Sequence, residues 1–254
     1  MTQQQRNPEM VNLLTADFIH KRDNAYLWAL LPGAYLMLSE LRGFWPMSAS
    51  DEGPNVMSLV NGAAMVEQGG PTYGTWGLAP YVALAANAYL RSALDTTLDT
   101  TGALTAGLWV WLDTFGTPIM GIWETSGEGW QIYSNSGGTL SVKVEGGGGS
   151  TVYTTTTAAA VSSGAWHFVV ARYRPSTELA LCVDGTWTRN VTSIPASITK
   201  PTKRLAIGTN SDASGTRMTG RVSLAFLCHA ALTDLQVAAL WGLGHPVFGV
   251  NPAG

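Results

Sequence analysis

Apolar and polar positions alternate with a period of two through most of the chain after residue 40. The clearest case is Ala165-Trp166-His167-Phe168-Val169-Val170-Ala171-Arg172-Tyr173, then a break at residues 174–177, then Glu178-Leu179-Ala180-Leu181-Cys182-Val183-Asp184-Gly185. Such alternation, rich in aromatic and β-branched residues on either side of turn chemistry, predicts a β-hairpin. Trp166, Phe168 and Val170 share one face of the first arm. His167, Val169, Ala171 and Tyr173 share the other and are nearly as apolar, so this strand belongs mid-sheet with cover on each side.

Further strands follow from the same pattern. Residues 104–113 place Leu108, Val110 and Leu112 on one face and Trp109 and Trp111 on the other. Residues 118–124 and 129–134 read as neighbouring strands, with Glu124 and Glu128 as solvated loop acids between them. Residues 139–145 and 151–157 form a hairpin across a tetraglycine, and 187–192, 203–208 and 218–229 are the remaining strands. Between residues 48 and 77, Pro54, Gly62, Gly69-Gly70-Pro71 and Gly74 punctuate short, weak strands. Thr233 caps a closing helix with Asp234 in its first turn, and Gly242 and Gly244 stop it, leaving 245–254 as an extended tail.

The first 40 residues follow a different period. Asn7-Pro8-Glu9 reads as a helix start, and Met10, Leu13, Leu14 and Phe18 recur at helical spacing, as do Leu27, Leu30 and Leu31, before Pro32-Gly33 turns the chain. This partly helical arm carries Phe18, Tyr26, Leu27, Trp28, Leu30, Leu31 and Tyr35, too much apolar surface to leave in water. It packs on its own sandwich or docks on neighbouring subunits, and an assembly role is the expectation taken here.

Gly164-Ala165-Trp166-His167-Phe168-Val169-Val170, followed after one turn by Leu181-Cys182-Val183-Asp184-Gly185, resembles the central hairpin of the laminin-G / concanavalin A-like jelly-roll family. Leu41-Arg42-Gly43-Phe44-Trp45-Pro46-Met47 resembles its opening strand, and Tyr81-Val82-Ala83-Leu84 with Ala88-Tyr89-Leu90 its next strand pair. Leu108-Trp109-Val110-Trp111 resembles the strand that follows. Leu205-Ala206-Ile207-Gly208 and Met218-Thr219-Gly220-Arg221-Val222-Ser223 resemble paired closing strands, and residues 231–241 the terminal helix. The resemblance covers roughly residues 41–241. It implies an all-β fold: a two-sheet antiparallel jelly-roll sandwich at 41–244, with the arm at 1–40, a short C-terminal helix and the tail at 245–254. It also implies calcium in some members, commonly through acidic side chains near two loops. Here those loops read Ala85-Ala86-Asn87 and Ser223-Leu224, so no metal and no cofactor is expected, with calcium at Asp113, Asp184 or Asp212 the exception to look for.

Composition narrows the function classes. Only 12% of the 254 residues are charged, about half the usual share, and 29 are glycine. A formal net charge of −3 lacks the basic footprint of phosphate-backbone binding, so nucleic acid is not the partner. The N-terminus lacks the basic-then-apolar layout of a secretory signal, and no apolar stretch reaches the ~18 residues that a membrane span needs. The two cysteines, Cys182 and Cys228, lie inside strand patterns and read as buried free thiols.

Catalytic spacings are missing as well. No pair of acids has the strand-face spacing of a glycosidase, and no Gly-x-Ser-x-Gly elbow supports nucleophilic catalysis, so no enzyme is expected and His167 reads as a packed or hydrogen-bonded residue. Two non-enzymatic classes remain. The first is a virion structural protein, a capsid decoration or a tail or fibre component, made in the host cytoplasm and assembled as a homo-oligomer through the arm. The second is a carbohydrate-binding adhesin for host glycans, in which aromatic rings stack on sugar faces. Trp109, Trp111, Trp123, Trp130 and Trp187 supply rings, most of them expected to be core; Trp187, with Asn210 and Asp212, is the candidate glycan site.

Overall fold

The computed structural model describes residues 40–47, 55–58, 63–76, 79–93, 98–124, 128–147, 149–156, 160–200 and 204–248. The arm and its residues Phe18, Tyr26, Leu27, Trp28, Leu30, Leu31 and Tyr35 lie outside the described residues.

Sixteen strands and one helix are described. In chain order they are β1 Leu41–Trp45, β2 Asn55–Met57, β3 Ala64–Gln68, β4 Thr72–Trp76, β5 Ala79–Leu84, β6 Tyr89–Ser92, β7 Leu104–Leu112 and β8 Thr117–Trp123. There follow β9 Gly129–Ser134, β10 Leu140–Gly146, β11 Ser150–Thr155, β12 Trp166–Arg174, β13 Glu178–Val183, β14 Thr186–Asn190, β15 Ala206–Ile207, β16 Gly220–Cys228 and α1 Asp234–Phe248. The first eight-stranded sheet runs β14-β13-β12-β7-β16-β5-β4, with β1 also on β16; the second runs β11-β10-β9-β8-β15-β6-β3-β2. Every pairing is antiparallel, and the two sheets face each other as a jelly-roll sandwich.

The predicted faces are the observed ones. Leu108, Val110, Leu112, Val169, Ala171 and Tyr173 from the first sheet meet Met120, Ile122, Trp130, Ile132, Val142 and Val144 from the second in the main core. Trp109, Trp166, Phe168, Val170, Phe226 and Leu224 form a second buried cluster on the outer face of the first sheet, where Val237, Leu240 and Trp241 of α1 join it. β12 is therefore covered on both sides, as its double apolar pattern requires.

One residue resets the alternation in β16. The register slips between Ser223 and Phe226, and Leu224 has φ +47°. This bulge puts Ser223 and Leu224 on the outer face in succession, so Phe226 and Cys228 point outward while Ala225 and Leu227 enter the core. The same edge of β16 pairs β5 before the bulge and β1 after it.

Three expectations change. Residues 81–84 and 88–90 are not a pair: β5 belongs to the first sheet and β6 to the second, with the Ala85 to Ala88 turn carrying the chain across (Ala88 N to Ala85 O, 2.8 Å). Likewise β15 and β16 lie in different sheets, because consecutive strands of a sandwich serve either sheet. The helix does not stop at Gly242 but continues to Phe248, so residues 245–248 are helical and not an extended tail. A helix-interior glycine costs only about 1 kcal/mol, which is not enough to end a helix. The start is as expected: Thr233 Oγ1 accepts from Gln236 N (3.3 Å) and Thr233 N donates to Gln236 Oε1 (2.8 Å), a capping box.

Cys182 and Cys228 are both free and buried, and burial pushes each thiol up to about 12. They stand on β13 and β16 with β12 and β7 between them, three strand spacings of about 4.8 Å, beyond disulfide reach.

Gly220 tests the packing between β7 and β16. It has φ +150°, and a Cβ there would sit 2.0 Å from the Trp111 carbonyl oxygen. Gly220→Ala is expected to destabilise the domain by on the order of 3 kcal/mol, read as a fall of several degrees in Tm.

Candidate functional site

The outer faces of the two sheets differ in chemistry. On the first sheet Trp187 is half-buried, not the exposed ring expected, because an ion network centred on buried Arg172 lies against it. The Arg172 guanidinium lies 4.1 Å and that of Arg189 5.0 Å from its ring centre. Arg172 is fully buried; its Nε donates to Glu178 Oε1 (2.9 Å) and its Nη1 to Leu232 O (2.9 Å) and Asp234 Oδ1 (2.7 Å). Its Nη2 lies 2.8 Å from the same Glu178 oxygen but is poorly directed for a hydrogen bond. Arg189 bridges the second oxygens of Glu178 (2.6 Å) and Asp234 (2.7 Å). The network ties the start of α1 to β12, β13 and β14.

His167 is hydrogen-bonded on both nitrogens. Its Nδ1 donates to Asp184 Oδ2 (2.6 Å), and its Nε2 accepts the Ser162 N–H (3.1 Å) and lies 3.2 Å from Ser162 Oγ. Serine, histidine and aspartate thus stand in sequence, but the lone pair that would take a serine proton is already bound by an amide hydrogen. The chain acts as a brace for the turn before β12, and Asp184 Oδ1 completes it by accepting from Phe168 N (2.8 Å). Asp113 and Asp212 are used locally, by Trp111 Nε1 (3.0 Å) and by Ser214 N (3.0 Å). Among the described residues no group of three or more His, Cys, Asp or Glu side chains could hold a metal.

The second sheet carries a different surface. Tyr153 on β11, Lys143 on β10, Gln131 on β9 and Gly121 on β8 are successive register partners and so share one outward row. Tyr153 is 54% exposed, an accessible ring beside the lysine. Lys143 folds back over Trp123, with Nζ 3.8 Å from that ring centre and 5.7 Å from Tyr133's. Room for this comes from Gly129, the side-chain-free register partner of Trp123. Burial pulls the Lys143 ammonium down to about 8, and among the described residues no carboxylate lies within ion-pair distance to offset it. Gln131 is buried; its Nε2 donates to Asn210 Oδ1 (2.9 Å) while its Oε1 has no partner. An orphaned buried acceptor costs roughly 1–3 kcal/mol.

Of the three residues predicted for glycan contact, only Asn210 lies at this site. Asp212 closes its own loop through Ser214, and Trp187 is on the other sheet. Lys143, Gln131 and Tyr153 were passed over, although each is a polar or aromatic residue at an outward position of an alternating strand. Glu124, expected in solvent, is buried at the end of β8, where its N–H donates to Glu128 O (3.2 Å).

The profile of the laminin-G type of the concanavalin A-like lectin/glucanases superfamily matches residues 84–238. The chain belongs to this superfamily. No curated protein matches its sequence. Similar solved structures include the binding domain of Paraclostridial Mosquitocidal Protein 1, with TM-score 0.65, 12% identity, and 80% of this chain covering 52% of that one. The botulinum neurotoxin serotype D ligand-binding domain, solved with N-acetylneuraminic acid, has TM-score 0.63 and 7% identity, with 83% and 52% covered. A structure of botulinum neurotoxin type C, described as entering cells through two ganglioside molecules, has TM-score 0.64 and 10% identity, with 82% and 52% covered. At these identities the likeness is one of fold, and the chain spans about half the length of each.

The ion network makes acid stability a test. Burial would raise the Glu178 carboxyl, but hydrogen bonds from Arg189 and Arg172 outweigh it, so it titrates below the usual carboxylate range; the Arg172 hydrogen bond does the same for Asp234. A depressed folded-state carboxyl stabilises above its unfolded pKa of about 4, and that stability is lost as pH falls through the folded value. Glu178→Gln, which leaves Arg172 under-compensated, is expected to cost about 3–5 kcal/mol at neutral pH and to flatten the loss of stability below pH 4, measured by chemical denaturation across pH.

Proposed function

We propose that this chain is a non-catalytic carbohydrate-recognition module that uses the outer face of its second sheet. The observation that carries the reading is the row Tyr153, Lys143 and Gln131, with Trp123 and Asn210 beside it. It sets an accessible ring and a half-buried cation on one rigid sheet face, above a buried amide acceptor that has no partner. Sugar sites need a ring face for the pyranose C–H groups and fixed polar atoms for the hydroxyls, and both are held here by strands instead of mobile loops. Membership of a lectin/glucanase superfamily supports this, as does fold likeness to a toxin domain solved with N-acetylneuraminic acid and to a toxin whose cell entry depends on two ganglioside molecules, although no ligand position carries over from a half-length match.

The virion-structural reading keeps its sequence arguments, but none of the similar structures named above is a virion protein, and its assembly residues lie outside the described ones. Recognition of a glycan is therefore preferred to assembly as the role of the sandwich.

A glycan array probed with the full chain is expected to show selective binding. Tyr153→Ala should weaken it about tenfold, whereas Val191→Ala, at a comparably exposed position of the first sheet's side, should leave it unchanged. An array without signal, or binding indifferent to Tyr153, would sink the proposal.

A further inference from the structure

We infer that the Lys143 site selects glycans carrying a carboxylate, the Lys143 ammonium pairing with the acid while Tyr153 stacks on the ring. The inference rests on the carbohydrate-recognition reading and narrows it.

Three observations point the same way. First, Lys143 is a half-buried cation whose contacts are the π-faces of Trp123 and Tyr133. An aromatic face offsets part of the lost hydration but leaves the ammonium's N–H donors for an anion. Second, the fully buried cation of the first sheet is treated differently: Arg172 is paired with the carboxylates of Glu178 and Asp234. Third, Lys143 is not alone on this face. Following the register from Lys143 through Gln131, Gly121 and Ala206 leads to Arg91 on β6. Arg91 and Arg217 lie 6.0 and 4.9 Å from the centre of the Tyr89 ring, again on an aromatic and not on an acid. In a chain of net charge −3, the outer face of the second sheet thus carries Lys143 and Arg91, with Arg217 beside them, each set on an aromatic ring.

The titratable side chains placed next to Lys143 by strand and register are Glu145 along β10, Tyr133 on β9 and Tyr153 on β11, with Glu124 at the end of β8, and among the described residues no ion pair to Lys143 forms. A bound carboxylate replaces the missing counter-charge. Affinity for an acidic glycan is then constant at neutral pH and falls as pH rises through about 8, where Lys143 loses its proton; a bound acid moves that loss upward.

The test is a panel in which each uronic- or sialic-acid-terminated oligosaccharide is paired with its neutral parent. It is probed with the full chain, with Lys143→Met, which keeps the buried stem, and with Lys143→Arg, which keeps the charge. Folding of each variant is checked by its amide NMR spectrum. The expected result is at least about a tenfold preference for the acidic partner, lost in Lys143→Met and retained in Lys143→Arg. NMR titration of the Lys143 ε-methylene with methyl β-glucuronide, against methyl β-glucoside, is expected to raise the lysine's pKa with the acid alone. Equal binding of acidic and neutral partners, unchanged in Lys143→Met, overturns the carboxylate inference and leaves glycan recognition standing. Binding of neither overturns both.

Discussion

The constraint on which the rest of the structure depends is the two-sided burial of β7, β12 and β16. Their inner side chains make the core between the sheets, and their outer ones make a second apolar layer with α1 against it. A strand buried on both faces cannot slip by one residue without moving a whole set of side chains to the wrong layer, so register here is strongly specified. The bulge at Ser223 and Leu224 is the point where the two layers are brought into step. It lets one strand join β5 on one stretch and β1 on the next, and the glycines at 107 and 220 let neighbouring backbones approach where a Cβ would collide.

The first sheet is covered on both faces around β7, β12 and β16, with Trp76 exposed at its β4 edge, and the recognition chemistry proposed here falls to the second. Its inner face fills the core, while its outer face keeps polar and charged side chains laid flat on aromatic rings. The contrast between the two arginine settings is informative. On the first sheet, Arg172 and Arg189 are paired with Glu178 and Asp234 and fix the helix in place, a structural use, while Arg221 lies over the Tyr81 and Trp111 rings. On the second, Lys143, Arg91 and Arg217 lie over rings, with no ion pair to a carboxylate among the described residues, the setting from which an external anion is proposed.

The sandwich was largely legible in the sequence because alternation reports a strand's two faces directly. Trp109 opposite Leu108, and Phe168 opposite Val169, declare β7 and β12 without any knowledge of the rest. What alternation does not report is which strands are neighbours. The pairs read at residues 81–90 and 205–223 proved to be strands of opposite sheets, and the glycan patch imagined from Trp187, Asn210 and Asp212 was divided between the two sheets for the same reason. Lys143 was visible as an outward residue of β10. Its partnership with Trp123 depends on the order β10-β9-β8 and on Gly129 leaving the space between them, and neither is a local property. Trp187 misled because a tryptophan after a turn looks exposed until Arg172, fifteen positions earlier, is seen to pack on it.

The central claim is that ligand binds the second sheet's outer face. The most direct measurement is NMR mapping of the indole N–H and amide signals of the full chain during titration with the strongest oligosaccharide ligand from the array. The account predicts that perturbations gather at Trp123, Gln131, Lys143, Tyr153 and Asn210, with the signals of Trp187 and Trp109 unmoved. Perturbations centred on Trp187 or the outer face of the first sheet would contradict it.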